Sequence, residues 1–282
     1  MTFKSADSFR HFDKSVRREL RYVRTPEQED FLKVLVATSH ARALLLKEGI
    51  ILWRAQIGHD WREEKQGEDS FEVPAAYSPK RMKPMPEMVS DGRANPRGIA
   101  CLYLATRKET AALEVRPSIG SYVSVGQFKV LKELKLVDCS ADQMGALSRW
   151  TTRNWTPEGI EKAVWSNIND AFSEPVERGD SSIDYVPTQI LAETFKRSGF
   201  GGISYRSSYG RSDKEGEKRG YNVVLFDIDA ADLINCGLYL IRDVSVVLSE
   251  QDNPYFVSKY YDKPNKAKST TNAGLKAPRT SA

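Results

Sequence analysis

The chain has 282 residues, of which 40% are hydrophobic and 28% are charged, as in a globular protein of one large or two small domains. The 42 Lys and Arg residues exceed the 38 Asp and Glu residues by four, too small an excess to indicate a nucleic-acid-binding protein. No apolar run approaches the ~20 residues of a membrane span. The polar N-terminal residues also lack the apolar core of a signal peptide. We therefore expect neither a membrane association nor direct binding to nucleic acid.

Cysteine and histidine usage narrows the chemistry further. Cys101, Cys139 and Cys236 lie far apart and one must stay unpaired, which fits buried thiols in a reducing cytoplasm. No CxxC or HExxH spacing occurs, so a metal site is not expected. The GxSxG, Walker A and GxGxxG signatures are missing as well, which disfavours serine hydrolases, P-loop proteins and Rossmann cofactor domains.

The N-terminal quarter of the sequence predicts helices. Residues 1–24 are polar and basic, and their arginines at helical spacing indicate a solvated helix face or a mobile arm. A capping box formed by Thr25 and Gln28 predicts the start of the next helix. The apolar face of this helix continues to Leu45, and Gly49 is its expected stop.

The rest of the chain alternates short apolar segments with helical patterns. A long polar loop is expected over 60–98, a length that is often functional, and Thr106 with Glu109 suggests a second capping box. The last 21 residues of the sequence, 262–282, have almost nothing to bury. The patterns predict strands over 50–55, 99–104, 122–130, 134–139, 202–205, 222–226 and 238–248, and helices from Thr106 to Pro117, from Thr156 to Phe172 and from Pro187 to Ser198.

This order mixes strands and helices without regular βαβ alternation, so the predicted fold class is α+β, with a compact mixed sheet. The predicted division has three parts. Residues 1–49 form an N-terminal helical extension, residues 50–250 form the main domain with an insertion around 119–183, and residues 251–282 form a disordered tail.

Some polar residues stand within predicted buried elements, where packing alone would not place them. Arg54 lies in an apolar strand, and is either half of a structural ion pair or a clamp for an anion. Glu114 lies in an apolar part of a helix, and is either an exposed carboxylate paired with a nearby base or a cleft carboxylate that stabilises a developing cation. Tyr103 is either core or a ring that stacks on a heteroaromatic ligand.

Two further candidates lie in turns. Arg93 projects from a Gly, Asn and Pro-rich turn and is either solvated or part of a site. Ser207 follows a buried strand and either bonds its own turn or reaches a ligand; without a nearby histidine it is a poor nucleophile. Together the candidates suit an anionic ligand with an aromatic ring and a centre that becomes positive. A dinucleotide such as NAD fits this description, as many other ligands do.

Six short segments of the chain, in this order and spacing, resemble those of RES-domain proteins. The resemblance implies an α+β fold similar to that of ADP-ribosyltransferase toxins, and the activity of bacterial toxins that cleave the nicotinamide–ribose bond of NAD by hydrolysis or phosphorolysis. It implies NAD as substrate rather than a resident cofactor, with inorganic phosphate as an optional co-substrate, and an Xre-like helix-turn-helix antitoxin as partner. The segments are 52–55 (LWRA), 92–98 (GRANPRG), 102–105 (LYLA), 110–117 (TAALEVRP), 201–208 (GGISYRSS) and 222–226 (NVVLF).

By position, the same resemblance assigns the site residues. It implies a catalytic group of Arg54, Glu114 and Ser207, and a substrate-binding group of Arg93, Tyr103, Ser208 and Asn222. Because Ser207 and Ser208 are adjacent, either can be the serine of the family motif. Three alternatives to an NAD-cleaving toxin stay open: a mono-ADP-ribosyltransferase that modifies a protein, an NAD hydrolase without an antitoxin, and a non-catalytic nucleotide-binding protein. The presence of both arginines, the glutamate and a serine disfavours the last.

Overall fold

The computed structural model describes residues 1–140, 155–174, 182–209 and 220–245. In chain order its α-helices are α1 (Ser8–Arg18), α2 (Pro26–Ser39), α3 (Pro79–Met82), α4 (Lys108–Glu114), α5 (Pro157–Ser173) and α6 (Val186–Arg197). Short 3₁₀ helices lie at His40–Arg42, Pro86–Met88 and Ser182–Tyr185. The strands are β1 (Ala43–Leu46), β2 (Ile51–Ile57), β3 (Asp60–Gln66), β4 (Asp69–Ala75), β5 (Leu102–Ala105), β6 (Tyr122–Val130), β7 (Leu134–Asp138), β8 (Gly202–Arg206), β9 (Tyr221–Leu225) and β10 (Ala231–Leu240).

One mixed sheet organises these elements. Its strand order is β1–β7–β8–β9–β5–β2–β6–β10, and β3 and β4 form a separate hairpin. Strands β7 and β8 are parallel, whereas the other neighbouring strands of this sheet are antiparallel. Asn222 of β9 lies opposite Ala105 of β5 on one side and Tyr205 of β8 on the other. The combination of a mixed sheet with separate helices confirms the predicted α+β class.

The largest core lies between the sheet and a layer of four helices, α1, α2, α5 and α6. Trp165 and Phe172 of α5 and Phe195 of α6 are fully buried there. The indole Nε1 of Trp165 donates to Thr38 Oγ1 of α2 over 3.2 Å, so the buried N–H is satisfied by a side chain of another helix. This packing holds the helical layer on the sheet and leaves the strand ends free to carry polar groups.

The N-terminal segment belongs to this core. Phe9, Phe12 and Val16 form a buried stripe on α1, and the ring of Phe12 stacks on that of Phe31 with centroids 4.6 Å apart. Of the two expectations for residues 1–24, the mobile arm is therefore wrong, whereas a solvated helix face is found at the exposed Arg18, opposite this buried stripe. Phenylalanines at helical spacing carry the packing signal, although arginines dominate the composition of the segment.

The predicted capping box of α2 is confirmed: Thr25 Oγ1 accepts from the backbone N–H of Gln28, and the Gln28 side chain accepts from the N–H of Thr25. The helix ends at Ser39, however, and residues 43–46 pair with β7 as strand β1. The prediction that this helix runs to Leu45 was wrong, because pairing with the sheet overrides the helix propensity of an Ala-Leu-Leu-Leu segment.

Three more expectations need correction. The predicted loop over 60–98 contains the β3–β4 hairpin, which turns at Gly67 with a left-handed φ of 68°. Thr106 does not cap α4, since its hydroxyl accepts from the backbone N–H of Tyr221 and thereby joins β5 to β9. The last predicted strand, 238–248, is displaced: β10 covers Ala231–Leu240.

The predicted insertion, 119–183, supplies β6, β7 and α5, all of which belong to the sheet or to its core. The predicted tail, 251–282, lies outside the described residues. None of the helices in the described ranges combines the length and apolar character that crossing a bilayer requires.

Candidate active site

A cavity of about 590 Å³ opens beside strands β2 and β5 and helix α4. Five of the seven residues assigned to the site by the resemblance line it. The cavity-lining residues that carry polar or aromatic groups are Trp53, Arg54, Gln56, Arg93, Tyr103, Glu114, Tyr185, Tyr205 and Asn222.

Glu114 is the last residue of α4, and two side chains fix one of its carboxylate oxygens. Ser207 Oγ donates to Glu114 Oε1 over 2.7 Å, and Asn222 Nδ2 donates to the same oxygen over 2.6 Å. Within the part of the chain that the structure describes, Oε2 carries no hydrogen bond. One oxygen is thus anchored, and the other is left for a ligand.

The backbone places this carboxylate at an unfavourable position. Helix α4 stops directly after Glu114, because Arg116 adopts a left-handed φ of 49° and Pro117 cannot continue the helix. A helix C-terminus carries partial negative charge and disfavours a carboxylate. The two donors from Ser207 and Asn222 offset this effect and explain how the side chain is held in one orientation.

The two adjacent serines lie in different surroundings. Ser207 is 1% exposed and sits behind Glu114, where its hydroxyl oxygen also accepts from the backbone N–H of Tyr209 over 3.1 Å. Ser208 is exposed, and its hydroxyl donates to the carbonyl of Ser173 at the end of α5 over 2.6 Å. The structure therefore brings Ser207 to the glutamate, whereas Ser208 lies away from it. Neither serine is among the residues that line the cavity.

Arg54 is half-buried on β2 beside the cavity. Its Nη1 donates to the backbone carbonyl of Tyr103 over 3.1 Å, and its Nε is buried without a hydrogen-bond partner. No carboxylate pairs with this guanidinium among the described residues, and burial lowers the pKa of Arg54 to about 10. The described residues therefore do not form the structural ion pair, which was one of the two interpretations that the sequence left open. A cation without a counter-ion at a cavity wall is suited to pair with an anion.

Tyr103 and the turn that carries Arg93 support one another. The Tyr103 hydroxyl donates to Asn95 Oδ1 over 2.7 Å and accepts from the backbone N–H of Ala94 over 2.9 Å. Burial raises the pKa of this phenol well above its usual value. Gly92 permits the close approach, because a Cβ atom at this position would lie 2.6 Å from the Tyr103 hydroxyl. Tyr103 thus has a positioning role besides lining the cavity.

Arg93 lines the cavity, but α5 already holds its guanidinium. Nη1 donates to the carbonyl of Ala171 over 3.2 Å, and Nη2 donates to that of Glu174. The guanidinium also lies over the ring of Tyr185, 5.8 Å from its centroid. Carbonyls at a helix C-terminus favour a cation, so this arrangement keeps a positive charge at the cavity wall.

Sequence reasoning missed Tyr185, which lines the cavity, and Gln189, which supports the wall without lining it. Gln189 Nε2 donates to the carbonyls of Gly92 and Asn95 over 3.0 and 2.9 Å, so the first turn of α6 holds the turn that carries Arg93. Both residues follow the predicted insertion, and no local motif marks either of them. A glutamine on an apolar helix face is the only signal available, and it is a weak one.

The fold and cavity define an α+β protein with a substrate-sized cleft in which an unpaired arginine and an anchored glutamate meet. The family model of the RES domain matches residues 51–243, and the chain belongs to that family. No curated protein matches the sequence. A chain in the crystal structure of the M. tuberculosis MbcT–MbcA toxin–antitoxin complex is similar at 15% identity, over 73% of this chain and 92% of that chain, with a TM-score of 0.37. A TM-score this low supports no conclusion about activity.

Proposed function

We propose that this protein cleaves the nicotinamide–ribose bond of NAD, by hydrolysis or phosphorolysis, and that it is the toxin of a bacterial toxin–antitoxin pair. Membership of the RES family supports both parts of the proposal. The observation that carries the chemistry is that one cavity is lined by two groups. These are Arg54, a half-buried cation without a counter-ion among the described residues, and Glu114, a carboxylate with one anchored oxygen.

The anionic part of the substrate is assigned to Arg54. The pyrophosphate of NAD supplies the negative counter-charge for the guanidinium, through charge-assisted hydrogen bonds at the cavity. Arg93 adds a second positive charge at the wall, although α5 carbonyls already accept from both of its terminal nitrogens. Arg54 is therefore the main anion contact, and Arg93 contributes mainly through its field.

The reacting centre is assigned to Glu114. When the bond between ribose C1′ and nicotinamide breaks, its electron pair leaves with nicotinamide and the ribose becomes oxocarbenium-like. The free Oε2 of Glu114 stabilises this positive charge or binds the ribose hydroxyls. Water or phosphate then adds to C1′; water gives up a proton in doing so. Ser207 acts through Glu114, and its role in this scheme is to hold the carboxylate.

The test is NAD consumption by the purified protein, with and without inorganic phosphate, in wild type and Glu114→Gln. The amide keeps the shape and removes the charge, so we expect a loss of about 10²-fold to 10³-fold in rate. Glu109→Gln is the matched control, because this exposed glutamate lies in the first turn of the same helix. We expect it to retain wild-type turnover.

Product analysis separates the candidate reactions. ADP-ribose with free nicotinamide indicates hydrolysis, whereas a phosphorylated ADP-ribose that forms only with phosphate indicates phosphorolysis. ADP-ribose attached to a protein, without release of free ADP-ribose, would indicate ADP-ribosyl transfer instead of hydrolysis or phosphorolysis. Wild-type turnover in Glu114→Gln would refute the role assigned to this carboxylate.

The toxin role has its own test. Expression in a bacterial host should arrest growth and lower cellular NAD for the wild type but not for Glu114→Gln. A short helix-turn-helix protein encoded next to this chain should restore growth when it is co-expressed. Depletion of NAD without growth arrest would favour an NAD hydrolase that works without an antitoxin.

A further inference from the structure

Helix α1 lies outside residues 51–243, the part of the chain that the family model matches, yet it contacts the segment that forms one wall of the cavity. The contact is made by Arg17, in the last turn of α1, and Asp184, in the 3₁₀ helix Ser182–Tyr185. The next residue, Tyr185, lines the cavity. An element outside the matched domain thus reaches within one residue of the candidate active site.

Arg17 holds this segment at more than one point. Its Nη1 donates to Asp184 Oδ1 and its Nη2 to the backbone carbonyl of Asp184, while its Nε donates to Asp13 Oδ1 over 2.9 Å. The Arg17 and Asp184 side chains are 27% and 33% exposed, so water screens the pair only partly. A planar fork that binds both side chain and backbone fixes the position of the Asp184 peptide, which an exposed ion pair would not do.

The residues directly after Asp184 connect this contact to the cavity wall. Tyr185 carries the ring that lies under the Arg93 guanidinium, and its carbonyl accepts from Thr188 Oγ1 over 3.0 Å in the first turn of α6. In the same turn, Gln189 holds the turn that carries Arg93. Fixing the Asp184 peptide therefore fixes both the start of α6 and the Tyr185 wall.

We infer that Arg17 is a positioning residue for the substrate cavity, which it acts on through Asp184 and the Tyr185 ring. The inference rests on the proposed function, because the ligand whose binding Arg17 affects is NAD. It gives helix α1 a role in substrate binding in addition to its packing on α2. Since Tyr185 and Arg93 line the wall and Glu114 makes the reacting contact, loss of Arg17 should weaken binding more than it slows turnover.

The experiment measures KM and kcat for NAD in Arg17→Gln, in Tyr185→Ala and in the double variant. We expect Arg17→Gln to raise KM about threefold to tenfold with kcat within about twofold of wild type. In the Tyr185→Ala background the same substitution should add less than about twofold, because the ring through which Arg17 acts is gone. Arg18→Gln, at the exposed neighbouring position, is the matched control and should keep the wild-type KM.

Two kinetic results would overturn the inference: an unchanged KM in Arg17→Gln, or an equal rise in KM with and without the Tyr185 ring. A purely structural role of Arg17 would instead lower kcat and the thermal midpoint together and leave KM in place. Amide hydrogen exchange of residues 182–189 gives a readout that does not depend on NAD. We expect faster exchange in Arg17→Gln than in Arg18→Gln. Equal exchange rates in the two variants would refute the inference, whether or not the wild type consumes NAD. If the wild type does not consume NAD, that result counts against the proposed function alone.

Discussion

The two adjacent serines give a sharp test of how the carboxylate is held. Ser207→Ala removes the donor that lies 2.7 Å from Glu114 Oε1 and leaves Asn222 as the remaining donor to this oxygen. Ser208→Ala removes a hydroxyl that bonds the carbonyl of Ser173 at an exposed position. The same one-atom change is thus made at two neighbouring positions, of which one touches the glutamate.

The size of the effect depends on the kind of bond that is lost. A hydrogen bond to a charged group contributes about 1.5–3 kcal/mol. If Ser207 expresses this free energy in the transition state, its loss lowers kcat/KM for NAD by about 10-fold to 150-fold. Ser208→Ala should stay within about twofold of wild type. The assay is steady-state NAD consumption, with circular dichroism and thermal melting of both variants to confirm that each is folded.

Two results would refute this reasoning. Equal losses in the two variants would mean that the bond to Glu114 is not what matters about Ser207. A larger loss in Ser208→Ala would move the serine of the family motif to the neighbouring position and would require Ser208 to leave its bond to Ser173 when substrate binds.

Two further predictions concern stability. Arg54→Met should raise the free energy of unfolding by about 1–2 kcal/mol, since it removes a half-buried cation that has no counter-ion among the described residues, while KM for NAD rises at least about tenfold. A fall in stability on urea denaturation would contradict the unpaired state of Arg54. Gly202→Ala should lower the free energy of unfolding by more than about 3 kcal/mol, because the added Cβ would lie 2.2 Å from the carbonyl oxygen of Val224. Gly159→Ala, in the first turn of α5, is the control and should change stability by less than about 1 kcal/mol.

The parts of the fold that the sequence predicted correctly are those whose signal is local. The capping box of α2 needs only Thr25, Gln28 and the turn between them, and β6 shows its alternation within nine residues. Strand β1 could not be predicted in this way, because Ala43–Leu46 favours a helix until β7 lies beside it. The β3–β4 hairpin was missed for a different reason: its strands are largely exposed on both faces, so no apolar alternation marks them.

The site residues also differ in whether a local signal marks them. Arg54 and Glu114 could be singled out because each places a charge among apolar neighbours, a local conflict that the sequence displays. Their partners could not be derived from the residues alone, since Ser207 is 93 and Asn222 is 108 positions from Glu114. These contacts depend on the pairing of β8 and β5 with β9, and no local pattern encodes that pairing.

Three unfavourable choices meet around one cavity, and this supports a functional rather than a structural origin. Among the described residues, Arg54 is a half-buried cation without a counter-ion, Glu114 is a carboxylate at a helix C-terminus, and Arg116 is a non-glycine residue with a left-handed φ. Each is unfavourable in itself, although Ser207 and Asn222 offset the effect at Glu114. Selection for stability alone would not favour such choices. An anionic ligand that becomes positively charged at its reacting centre would compensate two of the three. Its negative charge would pair with Arg54, and the positive charge that develops would lie near the Glu114 carboxylate. The third, at Arg116, ends α4 directly after Glu114, so that the carboxylate lies at the cavity.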